Sequence, residues 1–200
     1  MLIEHNGVSP RIHESAYVAP TAVVCGDVEV GSGSCILFGA VLAAEGAPIR
    51  VGDRCVVLEN AVIRAWPELP VSIGSEVYVG NAASIQRATL EDSVFIAPGS
   101  TVYPRAVVGK RTIVRANAVV HIGAVLGENR RVPDGWSAIG NPAQVVPPGE
   151  DERLLVSLEG LNFTRAVFGA DRDQAGLEPY RAVFAQHHGD RVIDGPLPER

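Results

Sequence analysis

Arg64, Gln86, Tyr103 and His121 are the residues whose types invite chemistry in this chain. A guanidinium, an amide, a phenol and an imidazole are all long hydrogen-bonding groups. Stacked on one surface, they suit either of two tasks. They could close a polar interface between subunits, or they could hold a small anion or carboxylate with Arg64 supplying the charge. His121 could also act as a base toward a hydroxyl or amine, with Tyr103 to orient it. The remaining histidines read as ordinary: His5 and His13 as solvated groups at the N-terminal end, His187 and His188 as the end of a helix, where positive groups favour the carbonyls. Cys25, Cys35 and Cys55 are an odd count without ligand-like spacing, and read as buried, reduced thiols. No phosphate-binding loop, dinucleotide fingerprint or metal-ligand motif occurs, so neither a metal nor a cofactor is expected.

The element that must position these residues is a repeat. From Ile12 an aliphatic side chain recurs every sixth residue through Val18, Val24, Val30, Ile36 and Leu42. After a longer step it resumes at Val51, Val57 and Ile63, after another at Ile73, Val79 and Ile85. A shorter step leads to Leu90, and the series then runs through Ile96, Val102, Val108, Val114, Val120 and Leu126 to Val132. Small side chains such as Ala22, Ser34, Cys55, Ala83, Ser100 and Thr112 follow four places behind. A period of six is neither a helix nor a plain strand. It fits short strands joined by tight corners, the hexapeptide pattern of a parallel β-helix. Gly31, Gly52, Gly74, Gly80, Gly109 and Gly127, each next to an aliphatic, suit corners with unusual backbone angles.

Composition agrees and excludes alternatives. The 200 residues are 46% hydrophobic but only 6% aromatic, with 21 Gly and 14 Pro, as a narrow core without rings requires. A net charge of −6 without a basic block argues against nucleic acid or an anionic membrane as partner. No uncharged stretch is long enough to cross a bilayer. MLIEHNG lacks the features of a secretory signal, so a cytoplasmic location is expected. The organisation expected is an N-terminal cap over 1–11, the coil over 12–146, a helical segment over 147–190 carrying Phe163, Phe168, Tyr180 and Phe184, and a loose tail over 191–200.

The repeat resembles that of the hexapeptide superfamily, and the closing IGNPAQVV resembles its G-x-P-A-K-x-V signature with Gln144 in place of Lys. The resemblance implies an all-β, left-handed parallel β-helix of about seven triangular coils, three hexads each, with the C-terminal α-helices packed outside. Within the superfamily, the segments CGDVEVGSGSCILFGAVL, VGDRCVVLENAVI and IGSEVYVGNAASIQRATL resemble the γ-class carbonic anhydrase family. That family carries zinc between the subunits of a homotrimer, on three histidines. The matching positions here are Arg64, Asn81 and Gln86. The Gln and Asp preceding the first ligand fall on Leu58 and Glu59, and the family's Arg-Gly-Asp run falls on Ala43, Ala44 and Glu45. Arginine has no lone pair to give, and neutral amides are poor zinc ligands. The resemblance therefore implies a homotrimer of this fold without carbonic anhydrase activity, with Glu59, Arg64, Asn81, Gln86, Tyr103 and His121 as candidate binding residues. With three hexads per coil, Ala43, Arg64, Gln86, Tyr103 and His121 become neighbouring rungs. Whether the chain is an enzyme stays open; the alternative is an acyl-coenzyme-A-dependent acyltransferase, for which the insertions 43–50 and 64–72 supply no histidine.

Overall fold

The computed structural model describes residues 1–150, 181 and 185–193. Strand β1 (Leu2–Glu4) is followed by β2 (Arg11–Ile12), β3 (Tyr17–Val18), β4 (Val23–Val30), β5 (Cys35–Ile36) and β6 (Val41–Val51). From there short strands recur at each hexad. One face of the solenoid is a seven-stranded sheet that steps from β3 and β5 through Val56–Val57, Tyr78–Val79, Phe95–Ile96 and Ile113–Val114 to Arg131–Val132. The remaining strands form a fifteen-stranded sheet, because β4 and β6 run through one corner without a break. Neighbouring rungs are parallel and in register, as in Ile85 opposite Ile63 and Val102. The short step between Ile85 and Leu90 leaves this register intact, since Leu90 lies opposite both Ile73 and Val108.

The core is the hexad series itself. Every aliphatic of the series from Val24 to Val132 is at most 3% exposed, while Ile12 and Val18 are partly buried against them. The small residues between them are buried too, and where they are polar their hydroxyls are used. Ser34 donates to the Gly52 carbonyl, Ser100 to that of Arg115 and Thr112 to that of Gly127, each at 2.8 Å. Buried hydroxyls thus bridge successive coils instead of being left unsatisfied.

The glycines beside the aliphatics act differently from the expectation of unusual angles. None of the six has a positive φ. All but Gly127 are small because the next rung lies on them: a Cβ on Gly52 would sit 2.7 Å from the Gly74 carbonyl. The left-handed angles fall two residues later, on Gly33, Arg54, Glu76 and Arg111. Rings are not confined to the C-terminal part either. Tyr78 and Phe95 stack outside the coil with centroids 4.4 Å apart.

The coil ends where Ser137–Ile139 turns back onto Gln144–Val146 in an antiparallel pair, within the IGNPAQVV segment. Most of the expected helical segment, including all four of its named aromatics, lies outside the described residues. Within that segment Ala185–Gly189 is a 3-10 turn instead of an α-helix. The expected tail is partly structured: Arg191–Val192 pairs antiparallel with β1, Val192 opposite Ile3. β1 in turn lies parallel on β4, so residues from both ends of the described chain meet at the first coil. Among the described residues no helix is long and apolar enough to cross a membrane.

Candidate functional site

Two insertions build a ridge along one corner. The first, within β6, lets its two halves pair with different strands: Val41–Ala44 with Val62–Ala65, and Ile49–Val51 with Val71–Ile73. The second makes a tight turn in which Trp66 and Leu69 exchange backbone hydrogen bonds of 3.2 and 2.9 Å. Gly46, with φ of 90°, is where they touch; a Cβ there would meet the Pro67 ring at 2.8 Å. On the next rung Arg87 occupies the corner with φ of 50° and its guanidinium under the Trp66 ring, 4.9 Å from the centroid. Such an arrangement uses the negative face of the ring to offset part of the cost of burying the cation.

The polar ladder forms as expected. Cys25, Ala43, Arg64 and Gln86 occupy successive rungs in one register, and Tyr103 and His121 continue it with ring centroids 6.0 Å apart. These side chains point outward, because their neighbours Leu42, Ile63, Ile85, Val102 and Val120 fill the core. Arg64 is about one-third exposed, and its Nε lies 3.8 Å from the buried carboxylate of Glu45. Gln86 donates to the Ser84 hydroxyl at 3.2 Å. Asn81 and Glu59 are brought together elsewhere, in the turns after Val79 and Val57, where Asn81 Nδ2 donates to Glu59 at 2.6 Å. Within one chain they do not join Arg64 and Gln86.

A second constellation overturns the ordinary reading of several residues. His5 is 3% exposed instead of solvated, because the chain ends cover it. Its Nδ1 lies 2.6 Å from Asp190, and the same carboxylate receives His187 Nδ1 at 2.6 Å. His187 Nε2 reaches Glu45 at 3.1 Å, and the two imidazole centroids are 4.6 Å apart. Cys25, at the head of the ladder, closes the group with its Sγ 3.9 Å from Asp190. Burial, and then the charges of Asp190 and Glu45, push the Cys25 thiol up to about 11. For His187 burial opposes the charged form, but the bonds to Asp190 and Glu45 prevail and its pKa is raised. Burial likewise lowers Arg87 to about 10, against the pull of Glu45. Glu45 is therefore the shared counter-charge of the corner. In the sequence Glu45 stands out only as the residue at the Asp of the family's Arg-Gly-Asp run, which says nothing of these partners.

The repeat is matched by the family model for "Bacterial transferase hexapeptide (six repeats)" over residues 87–121. Gamma carbonic anhydrase 2, mitochondrial, of Arabidopsis thaliana is 34% identical over 162 residues, 78% of this chain and 56% of that protein. The carbonic anhydrase of Geobacillus kaustophilus is 29% identical over 110 residues, 55% of this chain and 60% of that protein. The chain thus spans little more than half the length of these relatives. Among solved structures, a hexapeptide transferase family protein from Anaplasma phagocytophilum covers 94% of this chain and 98% of its own, with TM-score 0.53 and 22% identity, a likeness of fold.

Proposed function

We propose that this chain, a γ-carbonic-anhydrase-like hexapeptide-repeat protein, is a trimeric module that binds a small anion or carboxylate and does not hydrate carbon dioxide at the family's zinc position. The observation that carries the reading is the register of Arg64 on Gln86. A permanent cation stands where the family resemblance places a ligand to a cation. Zinc there needs imidazole, thiolate or carboxylate donors and an open position for water. Arg64, Asn81 and Gln86 offer no lone pair of that kind beyond neutral amide oxygens, so they do not fit the metal. They do fit an anion: a guanidinium steered by buried Glu45, with an amide one rung, about 4.8 Å, away. Tyr103 and His121 extend the same surface with further donors.

A homotrimer is part of the proposal, since the resemblance places the family site between subunits and Asn81 stands beside Glu59 at a different corner of the coil from Arg64. Light scattering should return about three times 21.1 kDa. Calorimetric titration with sulfate, acetate and bicarbonate tests the site. Binding to the native protein, weakened roughly 10- to 100-fold by Arg64→Ala through loss of a charge-assisted contact, supports the reading. Carbon dioxide hydration above background, or anion binding indifferent to Arg64, contradicts it.

The runner-up is acyl transfer from acyl-coenzyme A. It is favoured by the Tyr103–His121 pair, with the imidazole as base. Thioester cleavage in the presence of amine or hydroxyl acceptors that is abolished by His121→Ala would favour it over the binding role.

A further inference from the structure

We propose that His5, Cys25, His187 and Asp190 form a structural binding site for a zinc-class divalent cation, which fastens the C-terminal segment to the first coil. The site is distinct from the ladder position discussed above. One ligating atom from each of the four residues lies within 4.8 Å of all the others. Tetrahedral zinc with bonds of about 2.0–2.3 Å sets its ligand atoms about 3.3–3.7 Å apart. The contacts to Asp190, 2.6 Å from each imidazole and 3.9 Å from the thiol, bracket that range, and no pair of the ligating atoms is more than 4.8 Å apart.

The donor set argues for the metal class. A thiol and two imidazoles select zinc-like ions over magnesium or calcium, which require oxygen. Charge also closes: a thiolate and Asp190 neutralise a dication, while Glu45 remains for Arg64 and Arg87. The surroundings match what a ligating histidine needs. With His187 Nδ1 on the metal, its Nε2 proton is donated to Glu45 at 3.1 Å, fixing tautomer and ring plane. With His5 Nδ1 on the metal, Nε2 faces the Asn6 amide at 3.0 Å, which accepts a proton once its oxygen and nitrogen exchange places. Cys25 is brought to the outer side of the coil by its register with Ala43, and buried there by the segment that carries His187 and Asp190.

Cobalt(II) titration of the metal-stripped full chain tests this. The expected result is about one cobalt per chain in a tetrahedral spectrum with a thiolate charge-transfer band. Cys25→Ser should abolish that band, and His187→Gln, on a partly exposed side chain outside the coil, should reduce retained metal at least about tenfold. Circular dichroism verifies that both variants keep the solenoid; should either unfold, the thiolate band of the native chain decides alone. No binding, binding without the band, or a band that survives Cys25→Ser overturns the proposal. Metal retained by both variants but lost on changing Asn81 or Gln86 would instead contradict the reading of the ladder.

Discussion

Gly52 and Gly127 occupy the same place in the hexad, yet substitution by alanine should move stability in opposite directions. At Gly52 the new Cβ would lie 2.7 Å from the carbonyl carbon and oxygen of Gly74 and 2.8 Å from Ser75 N, roughly 0.7 Å inside ordinary contact. All three atoms are backbone, and the rung is tied down by the hydrogen bond from Gly52 N to Ile73 O of 2.9 Å. The coils must part locally, an overpacking cost of about 1–3 kcal/mol. For a chain of this size each kcal/mol lowers the melting temperature by about 2–4 °C, so Gly52→Ala should lose roughly 2–12 °C. Gly127 has nothing within 4 Å of its added Cβ and no left-handed φ. There alanine only restricts the unfolded chain, a gain of about 0.4–1 kcal/mol, or roughly 1–4 °C. Differential scanning calorimetry of the two variants side by side reads the contrast. Equal effects, or a neutral Gly52→Ala, would refute the claim that Gly52 serves rung contact.

Three other perturbations probe the corner and the core. Glu45→Ala removes the counter-charge of buried Arg87 and should cost on the order of 3–5 kcal/mol in denaturant titration; a loss under about 1 kcal/mol would show that Arg87 is balanced by other groups. Asp27 is held below the usual carboxylate range, first by its hydrogen bond from Arg50, so its stabilisation is complete above the unfolded value of 3.8 and vanishes as pH falls through the lower folded value. Asp27→Asn should accordingly flatten the acid limb of the stability profile, and an unchanged limb would discount the ion pair. Ile85→Ala, at a fully buried rung, should cost about 2–5 kcal/mol by chemical denaturation, and a near-neutral result would place Ile85 outside the core.

The coil was legible because a six-residue period is physically demanding. One aliphatic per corner must point inward, so Leu42, Ile63, Ile85, Val102 and Val120 identify the column, and their followers Arg64, Gln86, Tyr103 and His121 stack by necessity. The period gives positions but not reasons: beside an aliphatic, Gly52 suggests an unusual backbone angle, whereas contact with Gly74 governs it. The cluster of His5, Cys25, His187 and Asp190 leaves no periodic trace at all. Its members come from β1's exit, β4 and the C-terminal segment, and the pairing of Arg191–Val192 with β1 that unites them is set by tertiary contacts. For the same reason His5 reads as solvated, and His187 as the end of a helix, when considered only beside their sequence neighbours.

The most direct test of the binding role is a zinc-edge anomalous diffraction map from crystals of the full chain grown with zinc and then soaked in sulfate. The proposed trimer, in which Arg64 and Gln86 of one subunit would face Asn81 of a neighbour, should show no anomalous peak at that position and sulfate density in contact with Arg64. A zinc peak coordinated by Asn81 or Gln86 in the native protein would contradict it.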